Sequence, residues 1–123
     1  MKLVTHCFTL VVLTLSLFMG CREAERLPHR AELAEIARYE ADFRQDYDKH
    51  YANTGYGYDQ YRPAYHYGFE LAKDLRYSEM DWNTLELQAH RNWNGAAMGP
   101  WDRYKDAVRY GWERGSSGNV NAR

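Results

Sequence analysis

Cysteine is scarce: the chain of 123 residues holds 2, Cys7 and Cys21. A disulfide framework of the kind that staples small exported folds cannot be built from them. Alternation of apolar and polar residues is absent beyond chance, which argues against a sheet. No apolar run approaches the roughly 20 residues a membrane-spanning helix needs. Charge of one sign is missing as well, with 16 basic and 17 acidic residues for a formal charge of −1. That balance excludes general binding to a phosphate backbone, so no nucleic-acid partner is expected, and it leaves no polybasic membrane patch. The sequence also lacks a Gly-rich phosphate loop, an HExxH pair and any Ser/His/Asp or Cys/His nucleophile arrangement. These gaps predict a protein that is not an enzyme, with no cofactor and no metal.

What is present begins with a short leader. Lys2 precedes Cys7–Met19, an uncharged apolar stretch of 13 residues, and Gly20-Cys21 closes it. A secretory apolar region runs about 7–15 residues, so this segment is a signal peptide rather than a span. Leu17-Phe18-Met19-Gly20-Cys21 resembles the lipobox of bacterial lipoproteins. In that motif a small residue precedes a cysteine that is acylated and becomes the mature N-terminus. The resemblance implies a palmitate-type lipid on Cys21, with the membrane as a partner and the bacterial cell envelope as the location. Arg22, where an Asp would favour the inner membrane of enterobacteria, implies the outer membrane in a Gram-negative cell. Loss of residues 1–20 removes only Lys2 among the charged residues and leaves 103 residues with a formal charge of −2. A chain of that length supports one domain burying roughly 60–70% of its unfolded surface.

The mature chain reads as helices. Residues 21–30 form a polar tether. Ala31 to about Tyr51 carries an apolar stripe at Leu33, Ile36, Ala37, Phe43, Tyr47 and Tyr51, interrupted by Glu40. A second helix fits Asp59 to about Tyr77, with Pro63 in its first turn. Asp81 caps a third, Trp82 to about Trp93, and Pro100 starts a fourth that runs to about Arg114. Residues 115–123 are expected to be a disordered tail, so the helical domain is 31–114.

The second and fourth helices repeat one another. YDQYRPAYHYGFE at 58–70 aligns with WDRYKDAVRYGWE at 101–113, with 6 of 13 positions identical. The helix ends before them match more loosely, Lys49–Asn53 against Arg91–Gly95, one residue out of step. The predicted fold is therefore all-α: a small four-helix domain made of two duplicated αα-hairpins. Tyr61, Gly68 and Phe69 correspond to Tyr104, Gly111 and Trp112. A glycine inside a helix costs about 1 kcal/mol against alanine. Its recurrence at one place predicts a close helix crossing.

The run from Phe43-Arg44 through Tyr58-Asp-Gln-Tyr61-Arg-Pro-Ala-Tyr-His-Tyr-Gly, then Asp81-Trp82, Arg91-Asn-Trp93 and Tyr110-Gly-Trp112, resembles an uncharacterised aromatic-rich helical module of bacterial proteins. That module often occurs beside general-stress or heat-induced-stress domains. The resemblance covers residues 43–114 and implies a helical domain linked to envelope or osmotic stress, with no catalytic residue. The leader departs from the leaderless setting usual for the module.

Aromatic surplus is the remaining signal. All 11 tyrosines and all 4 tryptophans lie after residue 38, more than a core of this size hides. Tyr56, Tyr67 and Tyr110 are the candidates for a ligand-binding surface, alongside Tyr39 and Tyr77. His66 and Glu70 have i,i+4 spacing that can hold zinc, but no second ligand pair accompanies them. Asp59/Asp102 and Glu70/Glu113 recur through the duplication and are read as packing and helix-end charges rather than as an acid–base pair. Two functional expectations follow. One is a membrane-anchored lipoprotein with a non-enzymatic interaction or stress-related role among envelope proteins. The other is a glycan-binding module, with peptidoglycan as ligand, working through exposed tyrosine and tryptophan.

Overall fold

A computed structural model of the chain describes residues 26–120, which form helices and no strand. Four helices are long: α1 (Arg26–His50), α2 (Tyr58–Lys73), α3 (Trp82–Asn92) and, at the end, α5 (Trp101–Val120). A single turn, α4 (Gly95–Met98), precedes α5, and a 3-10 turn at Leu75–Tyr77 follows α2. The leader, Cys21 and the first part of the tether lie outside the described residues. By compactness the chain divides after Ala37, and the unit from Arg38 onward carries the aromatic core.

Local chemistry explains the element ends. Lys49 and His50 close α1, where positive charge suits the helix dipole. Gly55, at φ +83°, then reverses the chain in a conformation that favours glycine. Asp81 caps α3 by accepting a hydrogen bond from the Thr84 N–H at 2.8 Å. Asn94 accepts from the Ala97 N–H at the start of α4, and Gly99 at φ +94° ends it.

Three expected boundaries need correction. The polar tether expected at 21–30 gives way earlier, since α1 is already helical at Arg26. Pro28 falls in its first turn, where a missing N–H donor removes no helical hydrogen bond. The 3-10 turn replaces the last turn of the second expected helix, because the Asp74 carboxylate accepts the Arg76 N–H and redirects the backbone. The tail expected at 115–123 is instead helical through Val120. Gly115 is buried in it, and a Cβ there would meet the Ala72 Cβ at 2.7 Å. Tertiary contact overrides the poor helix propensity of Gly-Ser-Ser-Gly. In the apolar stripe of α1, Leu33 is 51% exposed whereas Phe43 is fully buried.

The core is built on the contact between α2 and α5. A Cβ on Gly68 would lie 1.8 Å from the Val108 carbonyl oxygen, and one on Gly111 would lie 2.0 Å from the Tyr65 carbonyl oxygen. Two backbones meet here at a distance only glycine allows. Residue numbers rise together across the crossing: Tyr61 meets Tyr104 with ring centroids 4.9 Å apart, Gly68 meets Val108, and Ala72 meets Gly115. The two repeated helices are therefore parallel. Their contacts are also reciprocal, since Tyr65 and Val108 are repeat equivalents, as are Gly68 and Gly111. The interface has a local two-fold axis passing between Tyr61 and Tyr104.

Each repeated helix carries an antiparallel partner. Against α2, α1 sets Tyr39 on Phe69 at 5.1 Å, Phe43 on Tyr65 at 5.2 Å and Tyr47 on Tyr61 at 5.6 Å. Against α5, α3 sets Trp82 on Trp112 at 5.6 Å, and Trp93 on Trp101 at 5.5 Å. Tyr51–Tyr61 at 4.5 Å and Trp93–Tyr104 at 6.0 Å occupy corresponding places in the two hairpins.

Candidate functional site

The two-fold arrangement produces two clefts at equivalent places on α2 and α5. The first, of about 540 Å³, is lined on α2 by Asp59, Pro63, His66, Tyr67 and Glu70 and closed by Met98 from α4. The second, of about 350 Å³, is lined on α5 by Asp106, Arg109, Tyr110 and Glu113 and on α1 by Asp46 and His50. Four positions correspond: Pro63 with Asp106, His66 with Arg109, Tyr67 with Tyr110, and Glu70 with Glu113. The tyrosines and glutamates are common to both clefts, while the other two positions differ in chemistry.

Tyr67 and Tyr110 are half-buried and fixed across the two-fold. The Tyr67 hydroxyl donates to the Ala89 carbonyl at 2.9 Å, and its ring meets Trp93 edge-on at 5.5 Å. Tyr110 packs edge-on to Phe43 at 6.4 Å and to Tyr65 at 5.9 Å, and its hydroxyl accepts from the Arg114 guanidinium. Tyr56 lies under the Arg103 guanidinium at 4.0 Å from its ring centroid, a cation–π contact. Tyr67 and Tyr110 thus line the two clefts while also serving contacts within the fold, whereas Tyr56 lines neither cleft. Among the structural repeat residues, Tyr61, Gly68, Phe69, Tyr104 and Gly111 are buried and Trp112 is half-buried.

Glu40, visible in the sequence only as a break in the stripe, is the polar hub between α1 and α2. One carboxylate oxygen accepts from the Tyr58 hydroxyl at 2.9 Å and from Arg62 Nε at 2.6 Å. The other pairs with His66 Nε2 at 2.9 Å. The Nε2 of His66 is thereby engaged by a residue on another helix. Burial pushes the Glu40 carboxyl up, but the hydrogen bonds from His66 and Tyr58 and the charge of Arg62 outweigh it. Its affinity for a proton ends below the ordinary carboxylate range. A depressed folded-state value stabilises the fold above the unfolded pKa and loses that contribution as pH falls through the folded value. The wild-type chain should therefore lose more stability than Glu40→Gln between about pH 5 and pH 3. Near pH 7 the substitution should cost about 1–2 kcal/mol. Urea melts at the three pH values check both statements, and parallel pH profiles for the two chains would contradict them.

The second cleft contains a polar relay that the sequence did not single out. The Tyr65 ring is fully buried, and its hydroxyl donates to Asp46 Oδ2 at 2.7 Å. Asp46 Oδ1 pairs with His50 Nδ1 at 3.0 Å. Burial, and then the Asp46 carboxylate, push the Tyr65 hydroxyl far above its ordinary value, so it remains a donor. In the other hairpin the corresponding positions are Val108, Gln88 and Asn92, so the relay belongs to one half alone. Elsewhere the charges serve helix ends and surfaces. Asp59 and Asp102 lie in first turns. Arg109 pairs with Glu113 at 3.0 Å. His90 stacks on Trp101 at 5.2 Å. Among the described residues no three His, Cys, Asp or Glu side chains are placed to hold a metal ion.

Fold and clefts together define a class: an all-α domain of two hairpins related by an internal two-fold. No known protein family, characterised protein or solved structure matches the chain.

Proposed function

We propose that the protein is an exported bacterial lipoprotein, anchored in the envelope through an acylated Cys21, whose helical domain acts by binding a partner rather than by catalysis. The observation that carries this reading is Leu17-Phe18-Met19-Gly20-Cys21 at the end of a 13-residue apolar stretch. Two or more acyl chains anchor stably, at about 0.8 kcal/mol per buried methylene. The clefts support the non-enzymatic half. Repeated tyrosines and glutamates recur in both, a pattern that suits recognition of an extended partner along two equivalent grooves. An envelope-stress role is the reading that the sequence resemblance to a stress-associated module supports.

Growth with radiolabelled palmitate tests the anchor. The wild-type protein should carry label and sediment with membranes, and Cys21→Ala should lose the label completely and leave the membrane fraction. A Cys21→Ala protein that still incorporates label would refute the reading. The second reading, a peptidoglycan-binding module, is favoured by Tyr67 and Tyr110, which line the two clefts. Saturable binding to purified peptidoglycan, lost in a Tyr67→Ala/Tyr110→Ala chain that keeps its helical spectrum, would establish it.

A further inference from the structure

We infer that Tyr65 is a redox-active tyrosine, on which one-electron oxidation of the aromatic core comes to rest as its phenolic proton crosses to Asp46. The oxidant is of the reactive-oxygen class, a peroxyl or carbonate radical. A phenol gives up an electron at moderate potential only when a base in contact takes its proton in the same step. Tyr65 has that base: its ring is fully buried, and its hydroxyl donates to Asp46 Oδ2 at 2.7 Å. Burial, and then the Asp46 hydrogen bond, keep the phenol protonated beforehand, so electron and proton must leave together. In that step the Tyr65 O–H bond breaks, an O–H bond to Asp46 Oδ2 forms, and the oxidant gains the electron. Asp46 Oδ1 pairs with Nδ1 of His50, whose side chain is 48% exposed, so the receiving carboxylate is linked to the surface. Packing alone does not call for this relay. The other half fills the same positions with Val108, Gln88 and Asn92, which offer no phenol, carboxylate or imidazole.

The core supplies a route for the electron. Trp93 is half-buried and forms the entry. From it the rings of Tyr104, Tyr61, Tyr47 and Tyr58 lead to Tyr65, with successive centroids 6.0, 4.9, 5.6, 5.5 and 6.4 Å apart. Every ring on this route is an indole or a phenol, both readily oxidised. Phe43 and Phe69, whose rings resist oxidation, lie beside the route and not in it. Charge decides where the route ends. The Arg44 guanidinium lies 4.5 Å from the Tyr58 ring centroid, and that of Arg114 lies 5.1 Å from the Tyr110 centroid. A cation over a ring makes its electrons harder to remove. Glu40, which accepts from the Tyr58 hydroxyl, is already paired with Arg62 and His66. It is therefore the poorer proton acceptor of the two carboxylates, and Tyr65 is favoured over Tyr58.

Pulse radiolysis of the folded, full-length chain in azide solution provides the test, because the azide radical oxidises tryptophan by one electron. The tryptophanyl absorption should decay as tyrosyl absorption grows, at a rate independent of protein concentration. Frozen samples should show a tyrosyl paramagnetic resonance signal with a proton coupling that disappears in heavy water, the mark of the hydrogen bond to Asp46. Tyr65→Phe keeps the ring and should lose that signal. Asp46→Asn keeps the shape but cannot take the proton, and should lose most of the tyrosyl yield. Oxidation that stays on tryptophan overturns the inference. So do tyrosyls that vanish by coupling into dityrosine between chains, which marks exposed rings, and a Tyr65→Phe chain with the wild-type signal. Where a variant loses its helical spectrum, the wild-type chain decides alone: a tyrosyl signal without the exchangeable coupling overturns the assignment.

Discussion

Gly68→Leu, and equally Gly111→Leu, should remove more than about 4 kcal/mol of stability, in the range reserved for severe packing failures. A domain of this size has about 5–15 kcal/mol in total, so either variant should lose about 15 °C or more in melting temperature. The obstacle is backbone. The added side chain would collide with the Val108 carbonyl at one site and the Tyr65 carbonyl at the other, and neither can rotate away as a side-chain tip can. Alanine makes the test sharper. On an exposed helix face Gly→Ala stabilises by about 1 kcal/mol, yet at Gly68 and Gly111 it should destabilise, reversing the sign. Thermal melts followed by circular dichroism read both effects, and a variant melting with the parent would disprove the close crossing.

Phe43→Ala should cost about 3–5 kcal/mol, the usual penalty for emptying a large aromatic site. Its ring is fully buried and is the point where three helices meet. It stacks on Tyr65 at 5.2 Å, meets Phe69 at 6.4 Å edge-on, and reaches Tyr110 on α5 at 6.4 Å. Loss of the ring therefore loosens α1 from both repeated helices at once. Leu75→Ala and Leu87→Ala provide the contrast. Those side chains are 88% and 56% exposed, and their removal should stay within about 0.5 kcal/mol. Urea denaturation separates the two groups, and equal midpoints for Phe43→Ala and Leu75→Ala would sink the assignment of the core.

Much of this fold was legible in the chain because helical periodicity marks which face of each helix is buried. Tyr58, Tyr61, Tyr65, Phe69 and Ala72 lie on one side of α2 by spacing alone, and all are buried. Gly68 and Gly111 stood out because a residue that weakens a helix recurs at one place in two repeats. Direction was not legible: periodicity identifies a face but not whether its partner runs parallel or antiparallel. The helix beyond Arg114 was hidden for a related reason. Its Gly-Ser-Ser-Gly run reads locally as a helix breaker, and the packing of Gly115 on Ala72 and Phe69 and of Gly118 near Tyr39 retains it. Glu40 registered as an interruption, since its three donors stand 18, 22 and 26 residues away on another helix. The relay in the second cleft was invisible for the same cause. Asp46 and Tyr65 are 19 residues apart and become neighbours only when α1 folds back on α2.

That relay has a consequence for how the two halves have diverged since they were alike. Tyr65, Asp46 and His50 stand where the other half has Val108, Gln88 and Asn92. A tyrosine introduced at 108 alone would find the Gln88 amide oxygen in place of a carboxylate, a weaker acceptor without charge assistance. Valine at 65 would in turn leave Asp46, whose side chain is only 10% exposed, short of its strongest donor. The viable histories are therefore those in which these substitutions accumulated in a permitted order. Intermediate sequences between the two halves should show strong epistasis at these three positions and near-additive effects on the outer faces of the same helices.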